Sequence, residues 1–282
     1  MAGAVPGLTA MQPHHSAPLG KIAVAAQDSA QRDRAQALAQ QLGTHCVEPG
    51  QAHAPPAVQA LLWVGADALS LQAVAAGGRS PGPISVDFGG AAMRHRRRGG
   101  QNELLGKAVG IGKKPALAVL DATAGLGRDS FVLADLGCAV VLAEREPVVL
   151  ALLDDGLERA ARAEDAWLNR VAGRMTLHHG EASTLTAAVL NTLDVIYLDP
   201  MFPERDKSAA VKKEMALFQT LFAGGTTADD AAQLLDWALG CDVARVVVKR
   251  PLRAPCLTLQ QPSHTIAGKA VRYDVYVLRS LR

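Results

Sequence analysis

Five short apolar runs, Leu117–Asp121, Ala139–Glu144, Met175–His178, Asp194–Asp199 and Arg245–Lys249, recur after Gly100 with helical patterns between most of them. Runs that are continuously apolar, rather than alternating, belong to strands buried on both faces. Strand–helix alternation of this kind is the pattern of a parallel sheet covered on both sides by helices. The expected fold is therefore α/β, a doubly wound, mostly parallel, Rossmann-like sheet. His264–Ile266 and Tyr273–Leu278 read as two further strands, the antiparallel pair that closes such a sheet. No internal repeat is visible.

Upstream, Lys21–Ala26, Leu61–Val64 and Ile84–Phe88 are strand candidates, and a helical stretch runs from Ser29 to Leu42. Pro- and Gly-rich stretches at Ala52–Pro56 and Gly77–Pro83 separate them, which suggests a small N-terminal α/β unit. The first 19 residues, with three prolines and two adjacent histidines, read as a disordered extension. The expected division is residues 1–19, a small unit over 20–100, and a large domain over 101–282. The small unit ends in Met93-Arg94-His95-Arg96-Arg97-Arg98-Gly99-Gly100, the densest basic run of the sequence, for which a solvated linker is the bland reading.

Composition bounds the function. A hydrophobic fraction of 49% supplies a sizeable core, and a charged fraction of 20% argues against bulk disorder. Net charge is only +2, so a nucleic-acid partner would have to be met by local basic clusters. The four cysteines, Cys46, Cys138, Cys241 and Cys256, are scattered without a CxxC pair. Neither a metal site nor a disulfide framework is expected, and reduced thiols fit the cytoplasm. No apolar run approaches the roughly 18–20 residues that span a bilayer, so no membrane association is expected. The N-terminus lacks the basic start and apolar stretch of a secretory signal.

Three motifs carry chemistry. In Val119-Leu120-Asp121-Ala122-Thr123-Ala124-Gly125-Leu126-Gly127-Arg128-Asp129 a strand enters a turn with two glycines and then a helix over Arg128–Leu136, which Gly137 would cap. Glycine admits close ligand approach and positive φ, and the helix start offers free N–H groups to an anionic group. A dinucleotide loop looks similar, but here the third glycine of the G-x-G-x-x-G fingerprint is Ser130. A carboxylate-bearing adenosyl ligand suits the loop better. The second strand ends in Glu144, 17 residues past Gly127, well placed to accept both ribose hydroxyls. Arg145 follows, and Pro147 suits the first turn of the next helix. The third strand ends in His179-Gly180-Glu181-Ala182, at the edge where an adenine would lie.

The third motif, Leu198-Asp199-Pro200-Met201-Phe202-Pro203, follows a buried strand and resembles the (Asp/Asn)-Pro-Pro-(Tyr/Phe) signature of methyltransferases acting on exocyclic amino groups. The lone pair of such a nitrogen is delocalised into its ring. The Asp199 carboxylate and the Pro200 carbonyl can both accept its hydrogens, draw it towards tetrahedral geometry and stabilise the positive charge that develops. Phe202 can stack on the base and hold it in line.

Taken together, Asp121–Asp129 and Leu198–Pro203 resemble the ribosomal RNA small subunit methyltransferase J family, as do Val211–Met215, Val246–Pro251 and Val86–Arg97. The similarity covers about residues 84–278. It implies a class I S-adenosylmethionine-dependent methyltransferase fold, with methyl transfer to N2 of a guanosine in 16S ribosomal RNA. It further implies that Arg128 and Asp129 hold the cofactor's methionine end and Glu144 and Arg145 its nucleoside, with Asp199 at the transfer centre. Some members carry two small hydroxyl residues where Glu181-Ala182 stands here. Asp121, Gly125 and Gly127 complete the expected cofactor cradle.

The partner implied is 16S ribosomal RNA or the small ribosomal subunit. Candidate phosphate contacts are Arg94, Arg96, Arg97 and Arg98, then Lys212 and Lys213 on an expected helix Ser208–Phe222, and Lys249 and Arg250 after the fifth strand. Other readings stay open at this point: methylation of a DNA adenine or a protein glutamine, a nicotinamide-dependent dehydrogenase, or a non-catalytic RNA-binding module.

Overall fold

The computed structural model describes residues 20–48, 57–74, 82–97, 101–200, 216–218, 220–222 and 228–281. Its first sheet contains β1 (Ile22–Ala26), β2 (His45–Val47), β3 (Ala60–Val64) and β4 (Leu69–Ala73), in the order β2-β1-β3-β4. β1 runs parallel to β2 and β3, and β4 returns antiparallel to β3. All five residues of β1 are buried, as expected of an apolar central strand. Between β1 and β2 lies α1 (Arg32–Leu42). A short 3₁₀ turn leads into it, capped by the Asp28 carboxylate, and Gly43 ends it at φ 63°.

The expected strand Ile84–Phe88 is not one. Ile84 makes a single bridge to Leu71, while Phe88 stacks on Phe131 with ring centroids 4.7 Å apart. Val86 lies against Gly156 so closely that any Cβ there would collide with it. These residues are apolar because they pack under helices, and no ladder partner is needed.

After α2 (Ala91–Arg97) and α3 (Gln101–Val109) comes a seven-stranded sheet. Its elements are β5 (Ala118–Asp121), α4 (Arg128–Asp135), β6 (Ala139–Glu144), α5 (Pro147–Arg162), α6 (Ala166–Ala172), β7 (Met175–His179), α7 (Ala187–Leu190), β8 (Val195–Leu198), α8 (Ala228–Leu239), β9 (Arg245–Pro251), β10 (His264–Ala267) and β11 (Val271–Val277). The strand order is β10-β11-β9-β8-β5-β6-β7. β5 to β9 are parallel, and β10 and β11 form the expected antiparallel pair beside β9. The chain winds outward one way through β5, β6 and β7, then returns to start the other half at β8. The carboxyl ends of β5 and β8 therefore border the switch point at which doubly wound sheets bind ligands.

Helix boundaries follow local chemistry. Gly127 precedes α4 at φ 70°, where a Cβ would lie 2.7 Å from Leu153 Cδ1 and 3.1 Å from Phe88 Cζ. Pro147 opens α5, and the Asp165 carboxylate caps α6 through the amides of Trp167 and Leu168. One apolar cluster runs through both sheets, joining Ile22, Leu62 and Leu71 to Phe88, Val119 and Leu153. Asp155 of α5 adds a polar tie: its buried carboxylate accepts from Arg34 Nη2 of α1 (2.9 Å), the Leu69 amide of β4 (3.1 Å) and Arg159 Nε (2.8 Å). Of the expected helix Ser208–Phe222, Val211, Lys212, Lys213 and Met215 lie outside the described residues. Phe218 and Phe222 near its end pack ring on ring, 5.8 Å apart. Among the described residues no helix is long and apolar enough to cross a membrane.

Candidate active site

The turn after β5 is built around a buried acid. Asp121 Oδ1 accepts from the Thr123 amide (3.1 Å), and Oδ2 accepts from the Ser130 hydroxyl on α4. Burial pushes the Asp121 carboxyl up to about 6, against the lowering pull of those two donors. Thr123 in turn accepts the Asp199 amide at 2.7 Å through its hydroxyl, tying the glycine turn to the end of β8.

Gly125 and Gly127 both take positive φ, 54° and 70°. The space a side chain would occupy on Gly125 is open, with Thr123 O the nearest atom at 4.0 Å. The Gly125 amide donates to Glu144 Oε2 at 2.9 Å, and the Glu146 amide donates to Oε1 at 2.8 Å. Burial raises the Glu144 carboxyl to about 7 although both amides favour its charged form. An open glycine turn beside an acid at the end of the next strand fits a nucleoside with a charged tail. By this geometry the chain suits an adenosyl cofactor.

On the rim, Arg145 Nη1 reaches Glu181 Oε1 at 3.3 Å, so these two expected cofactor residues pair with each other. Ala182 is buried among Leu120, Ala143 and Leu185, which leaves its methyl no path to a ligand. Arg128 is half-buried at the first position of α4; burial lowers the nearby Arg96 guanidinium, and Arg128 adds a smaller push in the same direction.

Asp129, one residue on, is buried and heavily partnered. Its Oδ2 accepts from Tyr197 OH (2.7 Å) and Lys249 Nζ (2.8 Å), and its Oδ1 is ion-paired with Arg96. Lys249 also donates to Asp199 Oδ2 at 2.7 Å and so bridges two acids. Tyr197 and Tyr273 are buried beside this group, and burial raises both phenols.

Several of the expected phosphate-binding residues have partners within the protein. Arg96 and Lys249 are engaged with the acids of the site. Arg250 follows Lys249 on β9, and successive strand residues point to opposite faces. It is 5% exposed and donates to Pro255 O at 2.8 Å, so its guanidinium is turned into the protein. Arg94 binds Asp165 Oδ2 (2.7 Å) and lies over the Trp167 ring at 5.3 Å. Arg98 and Phe202 lie outside the described residues, as does the side chain of Arg97. Asp199 and Pro200 stand where expected, at the carboxyl end of β8.

Thr123, Tyr197 and Ser130 were not among the expected site residues. Each acts through a partner on another element, which spacing along one strand cannot disclose. A separate cavity of about 280 Å³, lined by Lys113, Leu117, Leu136 and Cys138 among others, opens at the amino ends of β5 and β6 and contains none of these acids.

Comparison with known proteins agrees with this geometry. The family model for putative S-adenosylmethionine-dependent methyltransferases matches residues 49–278. A solved S-adenosylmethionine-dependent methyltransferase from Neisseria gonorrhoeae superposes with a TM-score of 0.67 at 35% identity, covering 92% of this chain and 97% of the other. Fold and site thus define an S-adenosylmethionine-dependent methyltransferase. Ribosomal RNA small subunit methyltransferase J from Hahella chejuensis is 52% identical over 206 residues, 72% of this chain and 75% of the relative. Its counterpart from Thioalkalivibrio sulfidiphilus is 48% identical over 250 residues, 87% and 93% of the two chains. The chain belongs to the ribosomal RNA small subunit methyltransferase J family.

Proposed function

We propose that the chain methylates the exocyclic N2 amine of a guanosine in 16S ribosomal RNA, acting in the cytoplasm on the RNA or the small ribosomal subunit. The relatives' name supports the substrate, and the resemblance of the site motifs supports the nitrogen. The observation that carries the chemistry is Asp199. It stands at the switch point, its amide held by Thr123 and one carboxylate oxygen by Lys249.

When bound, S-adenosylmethionine supplies a sulfonium methyl group as the electrophile. In this reading Glu144 accepts the ribose hydroxyls, with Gly125 and Gly127 giving the ligand room. Arg128 and Asp129 border its methionine end, and Arg145 and Glu181 form its rim. Asp199 Oδ1 and the Pro200 carbonyl accept the two amine hydrogens of the guanine, turning N2 towards tetrahedral geometry and freeing its lone pair. Positive charge then develops on N2 beside a carboxylate already in place, and Asp199 receives the proton that the methylated amine releases. Phe202 stacks on the base, which must be single-stranded or flipped out for N2 to be reached. Arg97 and Arg98, with Lys212 and Lys213, hold the RNA backbone.

The direct test is Asp199→Ala. Cofactor affinity should stay within a few-fold of the parent, while single-turnover methyl transfer falls by about 100-fold or more, the scale of lost transition-state hydrogen bonds. A normal transfer rate with cofactor and RNA saturating would remove the amine-activation mechanism.

A further inference from the structure

We propose that Lys249 is a positioning residue for methyl transfer, fixing the rotamer of Asp199 so that one carboxylate oxygen always faces the guanine amine. The proposal rests on the reading of Asp199 given above. β9 pairs with β8 up to Val248 opposite Leu198, so the next residues, Lys249 and Asp199, emerge side by side at the carboxyl edge. Alternation along β9 sends Lys249 to the face of the site and Arg250 to the other.

The Lys249 ammonium is shared between Asp129 Oδ2 at 2.8 Å and Asp199 Oδ2 at 2.7 Å. Asp129 has other partners in Tyr197 and Arg96. Among the described residues, Lys249 is the side chain that holds the Asp199 carboxylate. Without it Asp199, whose side chain is 37% exposed, would swing between rotamers and have to be ordered anew for each substrate. With Oδ2 held, Oδ1 is left in a fixed direction for the amine, and no reorganisation is needed at the moment of reaction.

Lys249→Met keeps the aliphatic stem and removes the ammonium. With cofactor and RNA saturating, its single-turnover rate should fall by up to roughly 100-fold, the scale for a slightly misplaced reacting group. In an Asp199→Ala background the same substitution should cost less than about threefold, because residues acting as a unit are not additive. Lys249→Arg, which keeps a cation between the acids, should stay within about tenfold of the parent.

The unloaded protein gives a readout independent of activity. The drop in melting temperature caused by Lys249→Met should be smaller when Asp199 is already Ala. Lys249→Gln serves in the same cycle if the Met variant does not fold. An unchanged rate, or an equal loss in both backgrounds, overturns the role of Lys249. If Asp199→Ala is itself fast, the functional reading fails. If Asp199→Ala is slow and Lys249→Met fast, only the inference fails.

Discussion

The amide of Gly125 donates to Glu144 Oε2 across 2.9 Å, so the glycine turn after β5 and the acid ending β6 form a single unit. Loss of that acid loosens the turn and removes the acceptor proposed for the ribose hydroxyls. Glu144→Ala should weaken S-adenosylmethionine binding by about 1.5–3 kcal/mol, the value of hydrogen bonds to a charged group. Calorimetry with the cofactor and its demethylated product measures this directly, and unchanged affinity would take Glu144 out of the site.

The same carboxyl sets a pH dependence. Burial raises it to about 7 in the folded chain, so over the range from ordinary glutamate values to about 7 the folded protein holds a proton that the unfolded chain has lost. Its contribution to stability is therefore full below that range and is lost as pH rises through about 7. Cofactor binding that needs the ionised form has the opposite slope. Between pH 6 and 8 the affinity should rise in the parent and stay flat in Glu144→Gln, as titrations at several pH values would show.

Much of this was legible in the sequence because the determinants are local. A continuous apolar run ending in an acid, a glycine pair and an Asp-Pro step each specify their own backbone, and β5, β6, β8, β9 and the closing pair fall where those patterns place them. What was hidden depends on packing between elements. Val86 and Phe88 look like strand residues but are apolar because α4 and α5 cover them. β4 carries Ser70 and Gln72 between its leucines, so its inward face shows only once it pairs with β3. Lys249 and Arg250 read alike as cations. Only the alternation of β9 tells them apart, placing one between two acids and burying the other.

Asp155 is a polar tie between the two sheets, and its loss removes the acceptor of the buried Leu69 amide, while Arg34 and Arg159 keep the carbonyls of Gly65 and Val86. Asp155→Ala should lower folding stability by about 1–3 kcal/mol, the cost of leaving a buried donor, here the Leu69 amide, unsatisfied. Denaturant unfolding checks the size, and cofactor affinity well below the melting temperature should be unaltered.

The basic run divides into two groups. Arg94 and Arg96 are committed to Asp165 and Asp129, whereas Arg97 and Arg98 are proposed to meet RNA phosphates. Replacing Arg97 and Arg98 should reduce the slope of log affinity against log salt by about 0.7–0.9 for every phosphate no longer neutralised, and leave cofactor binding unchanged. Arg94→Ala should keep the parent slope. Equal slopes for all variants across a salt series would remove Arg97 and Arg98 from the RNA contact.

The measurement that bears most directly on the proposed function is nucleoside mapping. Purified protein is incubated with S-adenosylmethionine carrying an isotopic methyl group and with 16S ribosomal RNA from cells lacking the protein, as free RNA and within the small subunit. The RNA is then digested and its nucleosides are separated by mass. The expected result is label in a single N2-methylguanosine, formed readily by the parent and about 100-fold more slowly by Asp199→Ala. Label in an adenosine or a cytidine, or none in either substrate while the cofactor binds normally, would contradict it.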